Sequence, residues 1–117
     1  MDKFIDTTYE AYKNVVGVDF GNTVPSIFTD EPQVSFKGRL PSALDKTDVT
    51  LPWTPTFADT YKERYGEDVI EHLPELFWNL PENRPSVTRY RYHDHVADRF
   101  SEAFGQNCGK WCDGHGL

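Results

Sequence analysis

The residues of this chain that could do chemistry are concentrated in a few short stretches. In "FTDEP", 28–32, two adjacent acids, Asp30 and Glu31, follow a short apolar run. In parallel α/β folds the active site lies beyond the C-terminal ends of the strands, so an acid there would point into the pocket as a general acid or base. Side chains alternate along an extended segment, so one acid would face a substrate and the other would line the wall. The plain alternative is a turn, for which Thr, Asp, Glu and Pro are ordinary residues. A second stretch, "YRYHDH", places His93, Asp94 and His95 ahead of Cys108, Cys112 and His115, all possible zinc ligands. Against a metal, the cysteines fall on an apolar helical stripe, where free cysteines act as small core residues, and His93 and His95 do not share a helix face. No metal and no cofactor is expected. Arg89 and Arg91 could clamp a carboxylate, with surface ion pairs the commoner use of such residues. Of the aromatics Trp53, Trp78, Tyr90 and Tyr92, Trp53 is the best candidate to stack on a sugar ring, because it lies in a polar loop with no stripe to join.

The composition limits the partners. The chain has 117 residues, is 38% hydrophobic and 15% aromatic, and carries a net charge of -7. That is enough apolar material for one packed domain. The acidic balance argues against nucleic acid, whose phosphates require clustered Lys and Arg. No basic run addresses a membrane surface, and no apolar run approaches the roughly 20 residues of a spanning helix. Nor does the N-terminus look like a signal peptide. Two cysteines four apart make no disulfide framework and suggest a reducing compartment, although the location of the protein stays open.

The elements that must hold these residues follow from periodicity. Phe4, Thr8, Tyr12 and Val15, with Ile5, Tyr9 and Val16 beside them, predict a first helix over 3–16. "GVDFGNT" stops it. Val24 to Phe28 is too short for a helix and apolar on both alternating faces, which predicts a strand covered on both sides. From Gln33 to Trp53 a long polar loop follows, with a short strand at Gln33 to Phe36. A second helix begins near Thr54, its stripe Phe57, Tyr61, Tyr65, Val69 and Leu73, with Gly66 a weak point and Pro74 its limit. After a proline-punctuated connector, Ser86 opens a long helix through Tyr92, Val96, Phe100, Cys108 and Trp111 to Gly114 or Gly116. Gly105 and Gly109, four apart, would let it lie close against a neighbour. The order is helix, strand, long loop, helix, helix, and the lone strand lacks neighbours to take its hydrogen bonds.

The segments "VPSIFTDEPQVSF", "LPWTPTFADTYKERYGEDVIEHLPELFW" and "TRYRYHDHVADRFSEAFGQNCGKWCDGHGL" together resemble the middle of the catalytic barrel of large bacterial glycoside hydrolases, the rhamnosidase-like and galactosidase-like (β/α)8 enzymes. The resemblance implies an α/β fold, with 1–117 as a single segment of a TIM barrel from about the third helix to just before the fifth strand. It would be incomplete on its own and would need the remainder of the barrel. It also implies hydrolysis of an O-glycosyl bond in a carbohydrate, with Glu31 as the general acid/base and Asp30 as the neighbour that raises its proton affinity. Trp53 and Arg89 would bind the substrate. The nucleophilic carboxylate would come from outside this chain, so the fragment would be inactive. Two other readings stand beside it: a small non-enzymatic α-rich interaction domain, and a zinc-stabilised module. A self-sufficient domain should cover Val24, Ile27 and Phe28 and pair their strand.

Overall fold

A computed structural model describes residues 1–42 and 44–117. They form two compact units, a terminal one of Met1–Glu31 with Asp98–Leu117 and a central one of Pro32–Ala97.

In the terminal unit, helix α1 runs over 2–16, with a π-type turn at Ile5–Tyr9 between Asp2–Phe4 and Glu10–Val16. The wider π turn alters the angular spacing of the side chains. Ile5 and Tyr9 are buried, whereas Phe4, Tyr12 and Val15, the other half of the expected stripe, are exposed. The last helical stretch of the chain supplies the partner surface. Trp111 stands with its ring 5.0 Å from Tyr9 and 6.1 Å from Phe20. Its Nε1–H donates to Glu10 Oε1 at 2.7 Å. That bond first, and Lys13 after it, holds the Glu10 carboxyl below its usual range. Between α1 and the next segment the backbone reverses at Gly21, whose φ of +73° suits glycine, and a Cβ there would lie 2.7 Å from the Gly116 carbonyl oxygen.

In the central unit, α2 spans Phe57–Tyr65 and ends at Gly66, which takes φ of +71° and donates its N–H to Lys62 O at 2.8 Å. Gly66 is therefore a helix terminator and not a soft spot inside a longer helix. A 3₁₀ turn at Val69–His72 and the short helix α3, Leu73–Phe77, follow. The bend still delivers the expected stripe: Phe57, Tyr61 and Val69 are core residues, joined by Leu76 and Tyr92, and Tyr65 and Leu73 pack at the margin. Helix α4 covers 87–113 as Val87–Phe100, a π turn at Ser101–Gln106 and Asn107–Asp113, and its residues up to Ala97 belong to this unit. Its start is set by Ser86, whose Oγ accepts from Arg89 N at 3.0 Å and donates to Glu75 Oε2 at 2.6 Å. Removing a cap of this kind costs about 1 kcal/mol, and stranding the Glu75 partner adds to it. Ser86→Ala should therefore lower the unfolding free energy by about 1–2 kcal/mol, with Ser86→Thr recovering most of the loss, as read by urea unfolding.

The α/β expectation is overturned. Among the described residues there is no strand and no sheet, only one isolated bridge between Phe20 and Val24. The segment is therefore not part of a TIM barrel, and the hydrolase reading that rested on the barrel loses its structural basis. The physical reason is that a strand exists only through its ladder. Val24 bonds only within its own tight reversal, its N–H to Asp19 O and its carbonyl from Gly21 N, no ladder continues over 25–28 among the described residues, and Pro25 removes one donor. An apolar run of this length cannot by periodicity alone specify a strand. Gln33 to Phe36 is likewise irregular, with the nearby chain tied at Gly38 N to Thr50 O, 2.7 Å, and Thr50 Oγ1 to Phe36 O, 2.6 Å. Gly105 and Gly109 do not serve close helix packing, since a Cβ at either would meet nothing within 4 Å. No helix among the described residues is long and apolar enough to cross a membrane.

Candidate functional site

Asp30 and Glu31 are both exposed, in irregular backbone of the terminal unit. Asp30 Oδ1 accepts the backbone N–H of Glu31 at 2.8 Å, a bond between adjacent residues of the irregular chain. Trp53 and Arg89 belong to the other unit, so the residues expected to share a sugar site are not gathered within one compact body. Trp53 lays one face on Phe57 at 4.6 Å between ring centroids and is 38% exposed. Arg89 reaches the carbonyls at the end of α3: Nε and Nη2 donate to Glu75 O at 2.9 and 2.7 Å, Nη2 also to Trp78 O, and Nη1 to Asn79 Oδ1 at 3.2 Å. Arg91 makes an ion pair with Glu67 at 2.9 Å.

The histidines and cysteines have other work. His95 is buried against Phe57, Tyr61 and Tyr65, with Nε2 2.9 Å from Thr60 Oγ1. Asp94 accepts from Tyr65 OH at 2.7 Å and from Arg64 at 3.2 Å. His115 stacks on Trp111 at 4.1 Å. Cys108 and Cys112 are free thiols, and burial, then the neighbouring Cys108, pushes Cys112 above its usual range. Among the described residues no three His, Cys, Asp or Glu side chains gather to hold a metal ion.

A cavity of about 320 Å³ opens in the central unit between two short segments, Arg39, Leu40, Pro41 and Ser42 on one side and Trp78 and Asn79 on the other. The hydrogen bond from Leu40 N to Phe77 O, 3.3 Å, joins the segments. Lys37, two residues before Arg39, donates from Nζ to Gly38 O at 3.1 Å and to Leu76 O, and passes 5.8 Å from the centre of the Phe77 ring. No family model, curated protein or solved structure matches this chain. The reading of the site therefore rests on its own chemistry.

That chemistry is cationic in an acidic protein. Burial first, then the charges of Arg89 and Arg39, pulls Lys37 below the usual lysine range. Partial desolvation and then Lys37 and Arg89 do the same to His93. No carboxylate is among the groups acting on either. The cations have a structural use: Lys37 and Arg89 cap α3, whose C-terminal carbonyls carry about half a negative charge. Two full charges exceed that, and Arg39 adds another with no hydrogen-bond or ion-pair partner among the described residues. Trp78 Nε1–H is buried with no partner among them, a state that costs about 1–3 kcal/mol when nothing accepts the proton. Lys37 and Arg39 lie in the loop read as polar and aperiodic, where nothing in spacing sets them apart. Only a fold that brings 37–42 beside 77–79 reveals them.

Proposed function

We propose that this chain is a non-enzymatic, α-rich interaction domain. One observation carries the reading: Phe28, in the run that a self-sufficient domain should cover and pair, is 87% exposed, so the chain does not meet that expectation by itself and leaves the ring for a partner. Val24 and Ile27 are half-buried, so the chain covers this run only in part. A bare phenyl ring gains about 1.5–3 kcal/mol when a partner covers it, and exposed aromatics are frequent anchors of interfaces. In the central unit Phe36 is similarly open, at 90%. The acids beside Phe28, both exposed, suit the polar rim of a contact. A zinc-stabilised module has no ligand cluster among the described residues to support it.

The test places a photo-crosslinking phenylalanine analogue at position 28 of the full chain in cells, with the same analogue at exposed Glu63 as the control. Discrete adducts from position 28 that are absent from position 63 are expected. Identical adducts from both, or none from either, would count against the reading. So would turnover of an aryl glycoside that Glu31→Gln abolishes.

A further inference from the structure

We infer that the cavity between 39–42 and 78–79 is a binding site for a small organic carboxylate with an apolar body. It is distinct from the exposed Phe28, which lies in the other unit. The volume, about 320 Å³, is within the range of small-molecule sites and fits a compact ligand more readily than a long chain. The walls divide by chemistry: Leu40, Pro41 and the Trp78 indole are apolar, and Arg39, Ser42 and Asn79 are polar. A ligand with one charged end and one apolar end satisfies both.

The charge balance selects the sign. Arg89 and Arg39 both act electrostatically on Lys37, and Lys37 and Arg89 bond carbonyl or amide oxygens and no carboxylate. Glu75, the nearest acid in sequence to the Trp78 wall, has its carboxylate occupied by Ser86 and His72. Arg39 is left with its planar fork of donors unused, the geometry that pairs with a carboxylate through two parallel bonds. The Trp78 indole N–H, closed off from solvent and without a partner among the described residues, serves as a reporter of the wall rather than as a donor to the ligand.

The backbone selects carboxylate over phosphate. Phosphate sites are typically built from the N–H groups of a helix N-terminus or a loop nest, whereas this cavity borders the C-terminal end of α3. Its carbonyls disfavour a dianion more than a monoanion. The strongly acidic remainder of the chain also opposes polyanions, so nucleic acid is excluded as the occupant.

The experiment titrates the full chain with 3-phenylpropionate, 3-phenylpropanamide and phenyl phosphate, following the Trp78 indole N–H by NMR and heat by calorimetry. The carboxylate should bind and shift that resonance, with the amide at least about 10-fold weaker, the loss of a charge-assisted pair. Arg39→Gln, a change at an exposed side chain, should weaken the carboxylate by a similar factor and leave the weak binding of the amide unaltered. Equal binding of acid and amide, tighter binding of phenyl phosphate, or no effect of Arg39→Gln would each overturn the proposal, as would no binding at millimolar ligand. A short peptide ending in phenylalanine, with a free or amidated terminus, separates the sources: binding of the free acid form only assigns a chain terminus, and exclusion of both forms while 3-phenylpropionate binds assigns a free small molecule.

Discussion

Tyr92→Ala should lower the unfolding free energy of the chain by about 3–5 kcal/mol, the cost of deleting a large buried aromatic. Tyr92 is fully buried, at 0% exposure, and packs on Phe57 at 5.3 Å between ring centroids. Its hydroxyl donates to Pro52 O at 2.7 Å, so one side chain fastens α2, α4 and the 51–53 segment together. Truncation removes the ring from all of them and leaves the Pro52 carbonyl without its donor. Tyr92→Phe keeps the ring and should cost about 1 kcal/mol, the net worth of the hydrogen bond. Val15→Ala, at a residue 80% exposed, should stay within about 0.5 kcal/mol of the parent. Guanidinium unfolding of the three variants checks the ranking. If the alanine and phenylalanine variants at position 92 lose equal stability, the hydroxyl rather than the packed ring anchors this core.

The second large effect is alkaline. Of the chain's 6 tyrosines, Tyr9, Tyr61, Tyr65 and Tyr92 have their ionisation pushed up. Burial is the leading cause for each, and Tyr65 is pushed up to about 12, with the Asp94 carboxylate that accepts its proton contributing after burial. Tyr61 donates likewise to Glu67 at 2.7 Å. A phenol held neutral in the folded state stabilises the protein fully below the unfolded value of 10 and loses that contribution as pH rises through the folded one. In that window each such tyrosine removes about 1.4 kcal/mol per pH unit, less for Tyr65, whose surroundings are partly solvated. Stability should therefore be nearly flat from neutrality toward pH 10 and fall steeply above it, with tyrosinate absorbance, read in a Tyr12→Phe/Tyr90→Phe background so that only these four phenols report, rising in step with the loss of helical circular dichroism. Tyrosinate appearing well before the helix signal falls would show that these phenols ionise inside the folded chain. At the acid end the sign reverses: Glu10 and Glu67 are held below the usual carboxyl range, by the Trp111 indole and the Tyr61 hydroxyl respectively, so their contribution fades as pH drops through their folded values.

Where sequence and structure agree, the information is local. The Phe57, Tyr61, Tyr65, Val69, Leu73 stripe predicts a buried face and supplies one, because helical spacing is a property of neighbouring residues. Ser86 predicts the start of α4 and caps it, because capping is decided within one turn. Even the glycines follow this rule: Gly66 ends α2 through its own positive φ, although spacing alone suggested a helix continuing past it.

Sequence alone was therefore enough for the helices, the apolar face of 57–73 and the acidic balance, but not for the face of α1, where Phe4, Tyr12 and Val15 of the expected stripe are exposed. The fate of 24–28 depended on the rest of the fold, since a strand needs a ladder supplied by residues elsewhere in the chain, and none among the described residues supplies one. The tertiary structure also decided that Asp30 and Glu31 lie open in irregular backbone, since exposure is a relation between distant parts of a fold. For the same reason the cationic cavity was invisible beforehand: Lys37 and Arg39 are close to Trp78 and Arg89 in space, and some 40 to 50 residues away in sequence.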